Sequence, residues 1–141
     1  MDFKIARKNM VENQIRANKV TSINVINAFL DVPREEFVPD ALQEISYVDE
    51  DIQLSRNRFM MKPMILARLF QSLNLKGNEN ILHVGSNSGY GSAILSRMCS
   101  SVISLESDKK LFETSIHNFS TMGFDNVVPL HGSMENGVEK E

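Results

Sequence analysis

The sequence predicts an α/β fold, in which three parallel strands of a doubly wound sheet follow an N-terminal helical region. Three observations lead there. From Gly77 onward, short apolar runs alternate with helical patterns in the order strand–helix–strand–helix–strand, the spacing that parallel strands joined by right-handed crossovers require. A turn of small residues, Gly85-Ser-Asn-Ser-Gly89, follows the first strand. An acid, Glu106, closes the second strand 21 positions beyond Gly85.

The elements can be taken in order. Phe3, Ile5, Met10, Val11 and Ile15 fit a helical stripe only loosely. Ser22 is placed to cap a second helix carrying Ile23, Ile26 and Leu30, and Pro33 marks its exit. Pro33 and Pro39 bracket a turn-rich piece, Ala41–Ile45 reads as a helical turn or two, and Val48–Leu54 as an extended segment. Pro63 opens a helix at a position where proline is tolerated, with Ile65, Leu66, Leu69, Phe70 and Leu73 at helical spacing. The α/β part then consists of a strand over Asn80–Val84 and a helix with Tyr90, Ala93, Ile94 and Met98 on one face. A strand over Ser101–Leu105, a helix over Asp108–Met122 capped by Gly123, and a strand over Asn126–Leu130 complete it.

Composition sets the outer limits. The 141 residues, 42% hydrophobic and 23% charged, suit an ordinary globular chain that needs no disulfide or metal to fold. A net charge of −3 argues against nucleic acid as a partner. No apolar run reaches the ~18 residues of a membrane span. The single cysteine, Cys99, forms no internal disulfide and suits a reducing compartment, so the expected address is the cytoplasm. Acids crowd residues 31–51, with Arg34 the lone cation there; such a run is most often a solvated face.

The chemistry concentrates at the ends of the first two strands. Ligands of open α/β sheets bind beyond the carboxyl ends of the strands, where a glycine-bearing turn brings backbone N–H groups close. An acid ending strand two can accept hydrogen bonds from both hydroxyls of a ribose, and Glu106 lies near the ~20-residue separation typical of such a pair. This points to a nucleoside-containing ligand. The competing interpretation is a tight turn beside a solvated Glu106. His83, in an apolar strand, reads as a satisfied core histidine. Cys99 reads as a packed thiol, and His117 and His131 have no spacing that suggests a shared metal site.

Several stretches together resemble the protein-L-isoaspartate O-methyltransferase family. They are Met10-Val-Glu-Asn-Gln-Ile-Arg16, Val32-Pro-Arg-Glu-Glu-Phe-Val-Pro39, Tyr47-Val-Asp-Glu-Asp51, Pro63-Met-Ile-Leu-Ala67 and Gly85-Ser-Asn-Ser-Gly-Tyr90, and the similarity runs from about Met10 to Gly137. The resemblance implies a class I S-adenosylmethionine-dependent methyltransferase, here as a partial Rossmann-like sheet of three parallel strands. Residues 1–76 would form the helical, substrate-side region and residues 77–141 the N-terminal half of the cofactor-binding domain, with the C-terminal half absent. It implies S-adenosylmethionine as cofactor and a protein or peptide substrate, methylated on an isoaspartyl carboxyl. Gly85, Ser86, Asn87, Gly89, Tyr90, Glu106 and Ser133 would form the cofactor site.

The chain departs from the family pattern at named positions. His83 stands where the family has an acid, Asn87 where it has its middle glycine, and Ser133 where an acid commonly meets the adenine amino group. Phe59 and Met61 fall on the Thr and Ser of the substrate loop, beside Lys62, so no catalytic residue carries over. Two expectations follow. The chain is a carboxyl methyltransferase of this family, or it is an inactive or truncated relative serving as a binding or partner module. Because the family continues to further strands, the first strand of the sheet is expected to be an open edge, available to a second copy or to a completing chain.

Overall fold

The computed structural model describes residues 1–138. It forms two compact units, Met1–Leu75 and Lys76–Glu141. Among the described residues no helix is long and apolar enough to cross a membrane.

The first unit begins with α1 (Phe3–Met10), whose N-terminus is capped by Asp2: Oδ1 accepts from the N–H groups of Lys4 (3.0 Å) and Ile5 (3.2 Å). The helix continues as a π-turn over Val11–Ile15 and a 3₁₀ turn over Arg16–Asn18, and Lys19 ends it at φ 70°. The change of pitch at Val11 explains the loose apolar stripe, since the segment does not keep one helical phase. Met10, Val11 and Ile15 are buried, whereas Ile5 is exposed.

Helix α2 (Ile23–Asp31) starts where expected, but the Ser22 side chain makes no capping bond. The entrance is held instead by Gln71, whose Oε1 accepts from the N–H groups of Thr21 and Ser22 at 2.8 and 2.9 Å, while its Nε2 donates to the Lys19 carbonyl. The buried face of α2 is Val25, Ile26, Ala28 and Phe29; Ile23 and Leu30 lie outside it. Two 3₁₀ segments, Arg34–Phe37 and Asp40–Ile45, occupy the proline-bracketed region.

The extended segment is shorter than expected and has a partner the sequence did not signal. Strand β1 (Ile52–Ser55) pairs antiparallel with β2 (Arg58–Met60). The turn between them contains Asn57 at φ 62°, a conformation that asparagine tolerates better than other side chains. Helix α3 (Pro63–Ser72) has Pro63 in its first turn and buries Pro63, Leu66, Ala67 and Phe70, while Leu69 and Leu73 are exposed.

The second unit is the parallel sheet, in strand order β3 (Asn80–Val84), β4 (Ser101–Glu106), β5 (Val127–His131). Its crossovers are α4 (Tyr90–Ser96) and α5 (Lys109–Met122), both packed on β4 and β5. Helix α4 stops short of Met98, which is nonetheless buried. Asp108 is the N-cap of α5 rather than its first residue, accepting from the Leu111 N–H, and Gly123 ends the helix in the left-handed conformation at φ 73°. Val102 and Ser104 are buried on one sheet face. Leu82, Val84 and Val128, which share the other face in register, are 45%, 44% and 51% exposed. Strand β3 pairs only with β4, so it is an edge of the described sheet, and Pro129 sits in the other edge strand, where its missing N–H costs no ladder bond.

Candidate functional site

The turn after β3 is built by alternating left-handed residues: Gly85 (φ 74°), Asn87 (φ 57°) and Gly89 (φ 104°). Position 87 therefore needs positive φ, which asparagine supplies at a cost of about 1 kcal/mol relative to glycine. Gly85 and Ser86 both donate their N–H groups to the Leu105 carbonyl, at 2.9 and 3.3 Å, which ties the turn to the end of β4.

Glu106 joins two loops. Its Oε1 accepts from the Asn87 N–H at 2.8 Å and its Oε2 from the Asp108 N–H at 2.8 Å, and the residue is fully buried. It is not the solvated acid of the competing interpretation. The Asn118 Nδ2 on α5 donates to the Ser88 carbonyl at 3.0 Å. Gly89 lies against the Phe119 ring: a Cβ at position 89 would stand 2.5 Å from Phe119 Cζ. This glycine thus serves backbone conformation and helix packing. Tyr90 is buried at the start of α4.

Of the seven sequence-derived candidates, the structure brings Gly85, Ser86, Asn87 and Glu106 together directly and sets Gly89 and Tyr90 at the adjoining helix start. Ser133 follows β5 on exposed chain. Its neighbour Gly132 donates its N–H to the Glu106 carbonyl at 3.2 Å. The Ser86 hydroxyl is buried without a hydrogen-bond partner, and an orphaned buried hydroxyl in such a turn suits a ligand's polar group. A carboxylate accepts about four hydrogen bonds, which lets one group pin a turn and also meet a ligand hydroxyl. These residues fit a nucleoside-bearing cofactor.

Three further groups belong to this unit. His83 Nδ1 lies 2.7 Å from Ser92 Oγ, which donates to Ser104 Oγ at 2.9 Å. Burial pushes the His83 imidazole down to about 4, against the raising influence of the Glu106 charge, so the ring is neutral near pH 7. His131 stacks on Phe112 with centroids 5.3 Å apart, and its Nε2 donates to the Ser107 carbonyl. Burial, then the Glu79 charge, raises the Cys99 thiol, which favours the unreactive protonated form.

In the first unit, Phe59 and Met61 are 51% and 38% exposed. Their loop is held through its backbone. The buried Arg34 donates from Nη2 to the Met61 carbonyl (3.2 Å) and from Nε to the Ser46 carbonyl, while the Lys62 N–H donates to Asp51 Oδ1 at 2.8 Å. Behind Arg34, Tyr47 Oη accepts from the Arg34 N–H (3.0 Å) and from Arg7 Nε (2.9 Å) and donates to Glu35. Arg7 also pairs with Glu35 at 3.3 Å. Sequence reasoning missed Arg34 and Tyr47 as organisers of this loop, and it missed Asn118 and Phe119 behind the glycine turn. Among the described residues no group of three or more His, Cys, Asp or Glu is arranged to hold a metal ion.

A parallel sheet with a glycine-bearing turn after one strand and a buried acid after the next is the arrangement of Rossmann-like α/β proteins. The chain belongs to the protein-L-isoaspartate(D-aspartate) O-methyltransferase family, whose model matches residues 5–141. It is 35% identical over 121 residues to protein-L-isoaspartate O-methyltransferase 2 of Anaeromyxobacter sp. (strain Fw109-5), covering 86% of this chain and 50% of that one. It is 31% identical over 141 residues to protein-L-isoaspartate O-methyltransferase of Petrotoga mobilis (strain DSM 10674 / SJ95), covering all of this chain and 66% of that one. A solved protein-L-isoaspartate O-methyltransferase superposes with a TM-score of 0.81 at 25% identity, over 94% of this chain and 44% of that one. A family structure from Plasmodium falciparum, in complex with S-adenosyl-L-homocysteine, gives a TM-score of 0.73 at 25% identity, over 94% of this chain and 63% of that one. The chain spans half to two thirds of the length of the curated relatives it matches.

Proposed function

We propose that this chain carries the cofactor-binding turn and the substrate-side region of a protein-L-isoaspartate carboxyl methyltransferase. The observation that carries the proposal is the turn at Ser86–Asn87 bonded to the buried Glu106 at the strand ends, in a chain of this family. Gly85, Ser86, Asn87, Gly89 and Tyr90 would hold the cofactor against the backbone of the turn. Glu106 would take the ribose hydroxyls, and Ser133 would lie toward the adenine. Support for S-adenosylmethionine comes from the Plasmodium falciparum relative, which holds the demethylated product. When bound, the cofactor supplies a methyl group on a positively charged sulfonium, already a good leaving group. The protein then has to align the acceptor carboxylate and exclude water, and it needs no general base.

In this assignment residues 1–76 form the substrate-side region and residues 77–141 the cofactor-side region. Arg34 and Asp51 fix the backbone at Met61 and Lys62, the loop that would present the acceptor. The acceptor is an isoaspartyl carboxyl in a damaged protein, the site of action is the cytoplasm, and nucleic acid is no partner. The open β3 edge, with Leu82 and Val84 exposed beside it, supports completion of the sheet by a further chain or a second copy.

Calorimetric titration with S-adenosylhomocysteine tests the cofactor site. Saturable heat is expected, weakened at least tenfold in Glu106→Gln, and absence of heat at millimolar ligand refutes it. A second interpretation, that the chain binds without catalysing, is favoured by Phe59 and Met61. Both side chains are exposed on the held loop, and neither can donate a hydrogen bond to a carboxylate. Cofactor binding with no methyl transfer to an isoaspartyl peptide would select it.

A further inference from the structure

A half-open groove of about 500 Å³ lies in the first unit, and its wall residue Asp51 accepts from the Lys62 N–H of the neighbouring loop. That volume falls within the range of ligand-binding clefts, ~300–1,000 Å³. One wall is Leu42 and Ile45 of the second 3₁₀ segment. The other is the consecutive run from Asp51 to Ser55, which contains all of β1. Successive side chains of a strand point to opposite faces. A groove touched by every residue of the run therefore follows the strand's edge rather than lying beneath one face. Strand β2 occupies one edge of β1, and among the described residues no other strand pairs with it. The groove accordingly runs along the unpaired edge. Leu54, which a bulge between Gln53 and Ser55 takes out of the β1–β2 ladder, lines it, and the Ser55 hydroxyl is buried there without a partner.

The charged residues on the segments that form its walls have one sign. Asp40, Glu44, Asp49, Glu50 and Asp51 are all exposed on the segments that form or enter its walls. No Lys, Arg or His lies between Glu35 and Ser55; Arg56 and Arg58 stand beyond, at the hairpin turn. Natural edge strands are commonly protected by lysine, proline or a covering element, and β1 contains neither residue. An unpaired edge beside apolar side chains and inside an acidic rim suits an extended polypeptide with alternating apolar and basic residues. Its backbone would pair with the edge, its apolar side chains would enter the groove, and its cations would meet the rim.

We propose that the β1 edge and the groove lined by Leu42, Ile45, Ile52 and Leu54 form a docking site for an extended basic segment of another polypeptide, which adds to β1 as a strand. The proposal does not require a bound cofactor, although Asp51 of the groove wall also holds the Lys62 backbone, and it is tested on the full chain without cofactor.

The probe is a fluorescein-labelled nine-residue peptide of alternating lysine and valine, followed by fluorescence anisotropy. Two matched peptides replace lysine by glutamate, or carry N-methyl groups on alternate backbone amides. The expected result is saturable binding of the basic peptide, with at least tenfold weaker binding of each matched peptide. Its amide shift changes should centre on Gln53, Leu54 and Ser55. The double variant Glu44→Lys, Glu50→Lys changes two exposed side chains outside the cofactor site and should weaken binding at least fivefold with an unchanged circular dichroism spectrum. The proposal is overturned by any of three results: no saturation at millimolar peptide, equal binding of the N-methylated peptide (attraction by charge alone), or shift changes confined to residues outside 40–58.

Discussion

Replacing Gly89 by alanine probes the contact on which the glycine turn rests. A Cβ at this position would meet Phe119 Cζ at 2.5 Å and Cε1 at 2.7 Å, both well inside van der Waals contact. The ring has little room to retreat. Phe119 is buried, it packs edge-on against Phe124 with centroids 6.4 Å apart, and the Arg97 guanidinium lies 4.5 Å from the Phe124 ring centroid. The backbone adds a second cost, since position 89 has φ 104°. Left-handed strain for a non-glycine residue is about 1–2 kcal/mol and overpacking about 1–3 kcal/mol. Together they give a loss of about 2–5 kcal/mol in the second unit, a large share of the ~5–15 kcal/mol that stabilises a typical domain. The chain has no tryptophan, so the measurement is amide NMR of α4 and α5 through a urea titration, which reports this unit alone. Phe119→Leu separates the two costs. It opens space for the new methyl but leaves φ unchanged, so the double variant should be more stable than the sum of the singles by about 1–2 kcal/mol. A Gly89→Ala protein within about 0.5 kcal/mol of the parent, the scatter of ordinary surface changes, would refute the reasoning, and so would strict additivity with Phe119→Leu.

The remaining predictions concern two polar networks. Tyr47→Phe removes the hydroxyl that serves Arg7, Arg34 and Glu35 and should cost about 1–3 kcal/mol, read as an earlier urea midpoint for the first-unit amides; an unchanged midpoint would show that the network is dispensable. Burial first, then Glu35, holds the Tyr47 phenol well above its ordinary range, so no phenolate absorbance from this residue should appear up to pH 11 while the fold persists. His83 has a folded-state value of about 4 against an ordinary 6.5, so the unfolded chain binds the proton more readily. Its contribution is fully present above pH 6.5 and is lost as pH falls toward 4, by up to about 3 kcal/mol. His83→Gln should flatten the stability of the second unit over that window, and an unaltered slope would mean that the ring is more solvated than its surroundings suggest.

The parallel sheet was legible because each of its signals is local: an apolar run of strand length, a turn of small residues, an acid at a strand end. The helix faces were harder to read for an equally physical reason. In Pro63–Ser72 the apolar residues are dense enough to form a wide stripe, Ile65, Leu66, Leu69, Phe70 and Leu73. Packing buries Leu66 and Phe70 of these, with Ala67, and leaves Leu69 and Leu73 exposed, a choice made by neighbours distant in sequence. Ser22 looked like a cap because serine so often is one, yet Gln71, 49 positions away, supplies the acceptor. Strand β2 gave no signal, because three residues are too few to show alternation. At the site the same division holds. The turn and Glu106 stand out in sequence, whereas Asn118 and Phe119 look like ordinary residues of an amphipathic helix until the fold sets them against Ser88 and Gly89.

Those two helix residues change the meaning of the departure at Asn87. In a turn held only by its own glycines, replacing the middle one with asparagine would cost order as well as about 1 kcal/mol of strain. Here the turn is held from three directions: Asn87 N–H to Glu106, the Ser88 carbonyl to Asn118, and Gly89 against Phe119. The protein has already fixed the backbone, so a ligand reaching it would not bear the entropy of ordering the loop. The opposing consequence lies in Glu106. A carboxylate that is fully buried between two loops contributes most to stability where it is least accessible. A ribose hydroxyl would share that carboxylate with the Asn87 and Asp108 N–H groups. Structural and binding roles therefore draw on the same carboxylate, and loss of its charge would loosen the turn as well as the ligand.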